Sequence, residues 1–196
     1  MPKIVDHEQQ RQALSSTVAN ALAELGLENT TLRAVATRHG CTKGMVQHYF
    51  ADKEELMVAA LVHVEEQCAK RLAAINTGHT GLGLLHARLG AQLPIDSAVL
   101  REWKVRFSFS NRAAGSKEMR DRLQQFQEGY QQVGMSCLRQ AQRAGDLKPG
   151  LSLRNSYRSL IALVSGISVS VVTGEGGLSA SNQRQILKTA IENLRH

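Results

Sequence analysis

Residues 31–53 read TLRAVATRHGCTKGMVQHYFADK, and the way this stretch must bend decides the fold. Ala36, Gly40 and Val46 stand at relative positions 5, 9 and 15 of a unit that begins at Leu32. The spacing predicts two short helices, 32–39 and 43–49, joined by a tight turn. A side chain larger than methyl at position 36 would push two crossing helices apart. Gly40 takes positive φ readily, which the chain needs where the first helix stops. Val46 plugs the second helix into a core beneath it. Thr42 is placed to cap that helix, its hydroxyl accepting from a free amide of the first turn. Helices crossed in this way leave the second one free to enter a DNA major groove.

Working outward, Tyr49 and Phe50 close the second helix. Asp52-Lys53-Glu54-Glu55-Leu56 open a third, with Asp52 and Glu55 spaced as a capping box. Upstream, Leu14, Val18, Leu22 and Leu25 form an apolar stripe at helical spacing, predicting a helix over 6–25 that Gly26 ends. Taken together, these residues resemble the TetR family of one-component bacterial regulators, closely over residues 10–60 and in helix layout beyond. The resemblance implies a three-helix head that binds operator DNA and a helical body that binds an effector. It also implies a dimer whose last two helices pair with their twins in a four-helix bundle.

Downstream periodicity agrees with that layout. A long helix over 53–75 carries Leu56, Ala60, Val64, Cys68 and Leu72 on one face and begins in the head. Asn76-Thr77-Gly78-His79 breaks it. Leu82, Leu85, Leu89 and Leu93 mark a helix stopped by Pro94, and 97–113 carries Trp103 and Phe107. In 116–144, Met119, Leu123, Phe126, Tyr130, Val133 and Cys137 alternate three and four apart. The apolar residues of 152–173 spread round the whole circumference, predicting a helix covered on every side. A last helix spans 181–194. The expected fold is all-α, about nine helices: a helix-turn-helix head over 1–53 and an effector-binding and dimerisation body over 54–196.

Net charge of +7 and a pI near 9.7 fit a polyanionic partner. The larger basic excess lies between Arg101 and Arg158, so the motif, not bulk charge, locates the DNA surface. The three cysteines are odd in number and widely spaced, as expected in a reducing compartment. No apolar run approaches the roughly 18–20 residues of a membrane span. The start, MPKIVDHEQQRQ, lacks a signal peptide's hydrophobic centre, so a soluble cytoplasmic protein is expected. No GxSxG, P-loop, GxGxxG or HExxH occurs, and no enzyme is expected. His63 and Glu66, three apart on a helix, read as a solvated face; neither a metal nor a cofactor is expected.

On the second helix of the motif, Lys43, Gly44, Gln47 and His48 share a face opposite Val46 and Phe50. Lys43 suits guanine O6 or N7, Gln47 suits adenine N6 and N7, and Gly44 lets the backbone approach the groove floor. His48, at the edge, would meet base or phosphate. The resemblance places Thr31, Arg33, Thr42, Tyr49 and Lys53 at positions that touch the phosphate backbone. A cap alone would also explain Thr42, and core packing Tyr49. One head covers half of a palindromic operator, which asks for a twofold partner. Trp103, Phe107, Phe126 and Tyr130 are the aromatic candidates for an effector pocket, with core packing as the competing job for each. Thr42-Lys43-Gly44, His48 through Lys53, Arg101-Glu102-Trp103 and Leu163 through Gly166 resemble the choline-responsive repressors within the family. That narrower resemblance implies a quaternary ammonium held by aromatic faces, for which this chain offers a single Trp.

Overall fold

The computed structural model describes residues 7–75 and 78–196. Helix α1 spans His7–Asn29 and buries Leu14, Val18 and Leu22. Its regular part ends where Gly26 adopts φ 75° and ψ 173°, a conformation open only to glycine. That kink turns Leu25 away from the core, leaving it 36% exposed, so the apolar stripe is one residue shorter than predicted. The predicted start at Asp6 lies outside the described residues.

Helices α2 (Leu32–His39) and α3 (Lys43–Tyr49) form where the motif places them. Gly40 sits at φ 74° and ψ 33°, and the turn closes as a Schellman motif. The Cys41 amide donates to the Ala36 carbonyl at 3.0 Å and the Gly40 amide to that of Thr37 at 3.4 Å. Both caps are in place: Thr31 Oγ1 accepts from the Ala34 amide at 3.1 Å and Thr42 Oγ1 from that of Met45 at 3.2 Å. Helix α4 (Lys53–Ala73) opens with Asp52 Oδ1 accepting from the Glu55 amide at 2.9 Å. Glu55 returns the favour one residue early, its Oε2 accepting from the Ala51 amide at 2.8 Å.

The body comprises α5 (Gly81–Gly90), α6 (Ser97–Ala113), α7 (Lys117–Arg143), α8 (Leu153–Thr173), a 3-10 turn at Glu175–Gly177, and α9 (Ala180–Glu192). Among the described residues there are nine α-helices and no strand. Helix α5 stops at Gly90, short of the predicted limit, yet Leu93 stays buried in the turn before Pro94. The predicted break at Asn76-Thr77 falls outside the described residues.

Two apolar cores organise these helices. The first joins Leu14, Val18, Val46 and Phe50 to the first half of α4, and takes in Val105 and Phe109 of α6. The head therefore rests on the body through α6 as well as through α4. The second core is built from Leu82, Leu85, Leu89, Leu138, Leu160 and Leu187. Cys68, Cys137 and Met119 are buried, as their positions in the stripes require. Val133, expected on the α7 stripe, is 38% exposed; Gly134 takes the buried position instead.

Helix α8 departs from expectation. One face is buried through Tyr157, Leu160, Val164 and Ile167, but Val169 is 37% exposed and Ala162 and Gly166 lie open. It is also the one helix among the described residues long and apolar enough to cross a membrane, with mean hydropathy 1.4 over its best 18-residue window. Reading uninterrupted runs hid this, because serines break the run without lowering the average far. Here α8 packs against α6, α7 and α9 as a core helix of the body.

Candidate nucleic-acid interface and ligand cavity

The groove-sized rod of α3 is held from below. Val46 and Phe50 are fully buried, and the Arg11 guanidinium lies 5.1 Å above the Phe50 ring while donating to the Tyr49 carbonyl at 3.1 Å. His39 ties α2 to α1: its Nε2 lies 3.0 Å from Gln10 Nε2 and its Nδ1 2.9 Å from Thr17 Oγ1. With the underside fixed, Lys43, Gly44, Gln47 and His48 are all exposed, on the face the sequence assigns them.

The residues assigned to phosphate flank this face. Thr31, Arg33 and Thr42 are exposed. The two threonine hydroxyls act as acceptors in their caps, so each keeps its proton for donation outward. Tyr49 is half-buried, with its hydroxyl 3.2 Å from His7 Nδ1 and its ring edge-on to His48 at 5.2 Å between centroids. Packing and presentation of the hydroxyl are thus combined in one residue. Lys53 is already engaged: its Nζ lies 3.6 Å from the Glu28 carboxylate and 3.4 Å from the Glu28 carbonyl. That exposed pair is weak and exchangeable.

Within the body, α4, α6, α7 and α8 line a partly open cavity of about 690 Å³. Trp103, Phe107, Phe126 and Tyr130 all line it, although they come from two helices. Tyr157, not anticipated, adds a fifth ring; burial pushes its phenol up to about 12. The edge of the Tyr157 ring lies against Gly134, where a Cβ would meet Cε2 at 2.0 Å. One indole donor is already used, Trp103 Nε1 donating to the Gln92 carbonyl at 2.7 Å.

The polar end of the cavity is a buried ion network that the sequence reading missed. Arg106 Nε donates to Glu65 Oε1 at 2.7 Å, and the Tyr130 hydroxyl donates to Glu65 Oε2 at 2.9 Å. Arg71 holds both oxygens of Glu102 at 2.7 Å, and Arg106 Nη1 lies 3.7 Å from Glu102. Burial opposes the charge of Arg106, but Glu65 and Glu102 outweigh it and its pKa rises. Tyr130 is raised by burial and by the adjacent Glu65 carboxylate, so its hydroxyl stays a donor. A signal was available: Glu65 occupies a core-facing position between Leu61 and Cys68, where a charge needs a buried partner. His63 is half-buried, not solvated as expected, and burial lowers its pKa; Glu66 is exposed. Among the described residues no three His, Cys, Asp or Glu side chains converge as for a metal ion.

Residues 17–60 match the bacterial regulatory proteins of the tetR family, and residues 82–196 match the BetI-type transcriptional repressor, C-terminal. The chain belongs to the TetR family. Its relatives include the HTH-type transcriptional regulators PksA of Bacillus subtilis, 29% identical over 126 residues, and BetI of Burkholderia ambifaria, 30% identical over 124 residues. These matches cover 62% and 61% of this chain, and only 60% and 64% of the two relatives' lengths. A transcriptional regulator of Saccharomonospora viridis in complex with choline superposes with a TM-score of 0.89 at 21% identity, over 96% of this chain and 99% of that one. A transcriptional regulator of Rhodococcus sp. Rha1 does so with 0.82 at 25% identity, over 94% and 95%. The all-helical expectation with an N-terminal helix-turn-helix is met, and the family to which the chain belongs is one of transcriptional regulators.

Proposed function

We propose that this TetR-family regulator is a homodimeric repressor that occupies a palindromic operator and leaves it when a small molecule enters the body. The observation carrying this reading is α4. Its capped start at Asp52 belongs to the head, and thirteen residues later Glu65 forms part of the cavity wall. One rigid element thus touches both sites. Lys43 and Gln47 read bases; Gly44 and His48 face the groove; Thr31, Arg33, Thr42, Tyr49 and Lys53 hold phosphates. Residues 1–53 act as the DNA-binding domain and 54–196 as the effector-binding and dimerisation domain.

Dimerisation runs through α8 and α9. Besides its buried and cavity-facing stripes, α8 has a third face where the small Ser159, Gly166 and Ser170 flank Leu163, which lets a twin helix approach around one apolar contact. The dimer sets two α3 rods about 34–36 Å apart, one helical turn of DNA. An effector that binds better when α4 is tilted shifts the population towards heads off that spacing, and only as far as its affinities for the two states differ. The protein works in the cytoplasm and catalyses no reaction.

A gel-shift against the DNA upstream of its own coding region tests the reading. A sequence-selective complex that weakens steeply with salt is expected. Equal retention of random DNA, or none at all, would reduce the molecule to a helical small-molecule binder with an idle head. A complex that raises transcription of the downstream gene would make it an activator.

A further inference from the structure

The geometry points to an amphipathic carboxylate as the effector, with Arg158 as the residue that recognises its charge; this rests on the effector-responsive reading above. The cavity wall carries one carboxylate, Glu65, against two guanidiniums, Arg106 and Arg158. Both Glu65 oxygens are committed, one to Arg106 and one to Tyr130. A cation entering the cavity would find no uncompensated acid, and would have to break a buried pair to make one. The face of Trp103 is also taken, with the Arg106 guanidinium 5.2 Å from the ring centre. A quaternary ammonium of choline's size would moreover leave most of the 690 Å³ unfilled, forfeiting contacts along the aromatic walls.

The positive side of the cavity, by contrast, is not fully matched: Glu65 and Glu102 balance Arg106, but Arg158 has no acid beside it. Arg106 Nη1 is buried with no hydrogen-bond acceptor. Arg158, exposed on α8, lines the cavity, and no carboxylate pairs with it among the described residues. Ala162, Ser165 and Val169 continue its stripe along the cavity at helical spacing, so a ligand lying against α8 meets Arg158 at one end and apolar surface beyond. Guanidinium is the cation best matched to a carboxylate, through two parallel N–H donors. The volume falls within the range of drug-sized ligands, and the five rings suit an extended or cyclic apolar body.

Three probes of one shape separate the head groups: decanoate, decanol and decyltrimethylammonium, each titrated below its micelle concentration, with choline alongside. Direct binding is followed by calorimetry and release of operator DNA by fluorescence anisotropy. Decanoate is expected to bind about tenfold more tightly than the alcohol or the ammonium, the worth of one charge-assisted hydrogen bond. R158Q and R158E remove that margin, bringing decanoate down to the affinity of decanol measured in the same variant. Tighter binding of either ammonium, an unaltered decanoate affinity in both Arg158 variants, or no binding by any probe overturns the assignment. Operator binding in the same preparation separates these outcomes: a protein that holds its operator but ignores every probe loses only the effector class. One that binds decanoate but no operator loses the repressor reading and keeps the cavity's.

Discussion

Helix α7 carries two glycines whose replacement by alanine should move stability in opposite directions. Gly129 is exposed and a methyl group there meets nothing within 4 Å. Glycine in a helix interior costs about 0.5–1 kcal/mol relative to alanine, so Gly129→Ala should stabilise by that amount. Gly134 has the same helical backbone, but its added Cβ would fall 2.0 Å from Tyr157 Cε2, 2.7 Å from Cδ2 and 2.9 Å from Cζ. The contact involves three atoms of a planar ring, so relief needs the whole ring of Tyr157, which is otherwise packed in the body core, to move towards the cavity. Overpacking of this kind costs about 1–3 kcal/mol, which exceeds the helix-propensity gain. At roughly 2–4 °C per kcal/mol for a chain of this size, Gly134→Ala should lower Tm by several degrees and Gly129→Ala raise it by a few. Thermal denaturation followed by circular dichroism reads both. The clash is pairwise, so in a Tyr157→Ala background the Gly134→Ala change should revert to a small gain. Equal stabilisation by the two single substitutions would show that Tyr157 does not lie against Gly134, and the shape of the cavity would have to be redrawn.

Other perturbations address the head, the network and the acid limb. Gln47→Ala should cost about 1–3 kcal/mol on the correct operator and relax preference at one base pair; equal losses on random DNA in an anisotropy titration would remove it from base readout. Lys53→Ala should weaken all sequences alike and flatten the salt slope by about one unit, less if Glu28 keeps the lysine from phosphate. Arg106→Met leaves Glu65 without its cation in the interior, while Arg71 still holds Glu102, and should destabilise by about 3–5 kcal/mol in urea unfolding. Adding Glu65→Gln should recover part of that loss; no recovery would mean the two side chains are not coupled. His63 is held neutral by burial below its ordinary 6.5, so the unfolded chain takes up its proton first as pH falls. Stability should therefore drop from pH 6.5 down to the lowered folded value, and His63→Gln should make that limb shallower. Urea midpoints measured between pH 5 and 8 decide it.

The head was legible in the chain because its determinants are local. Gly40 needs positive φ, Thr31 and Thr42 cap the helices that follow them, and the roughly 100° between consecutive residues turns Gln47 outward while Val46 is buried. Such rules act over three or four residues and need no knowledge of what packs where. Helix lengths in the body followed for the same reason, with errors where the local signal was equivocal. Leu25 continues the stripe in spacing but sits beside the Gly26 kink, and Leu93 belongs to the core without belonging to the helix.

Tertiary structure alone decided the cavity. By sequence, core packing is the stronger reading for each of Trp103, Phe107, Phe126 and Tyr130; the gap among the body helices is what puts them on a cavity wall. Glu65 and Arg106 stand 41 positions apart, and nothing local distinguishes a buried carboxylate with a partner from a misplaced surface one. Their pairing is a property of helix crossing, as is the covering of Trp103 by a guanidinium. Sequence periodicity states which side of a helix turns inward; which charges then meet, and how much room they leave, depends on the distance and angle between helices far apart in the chain.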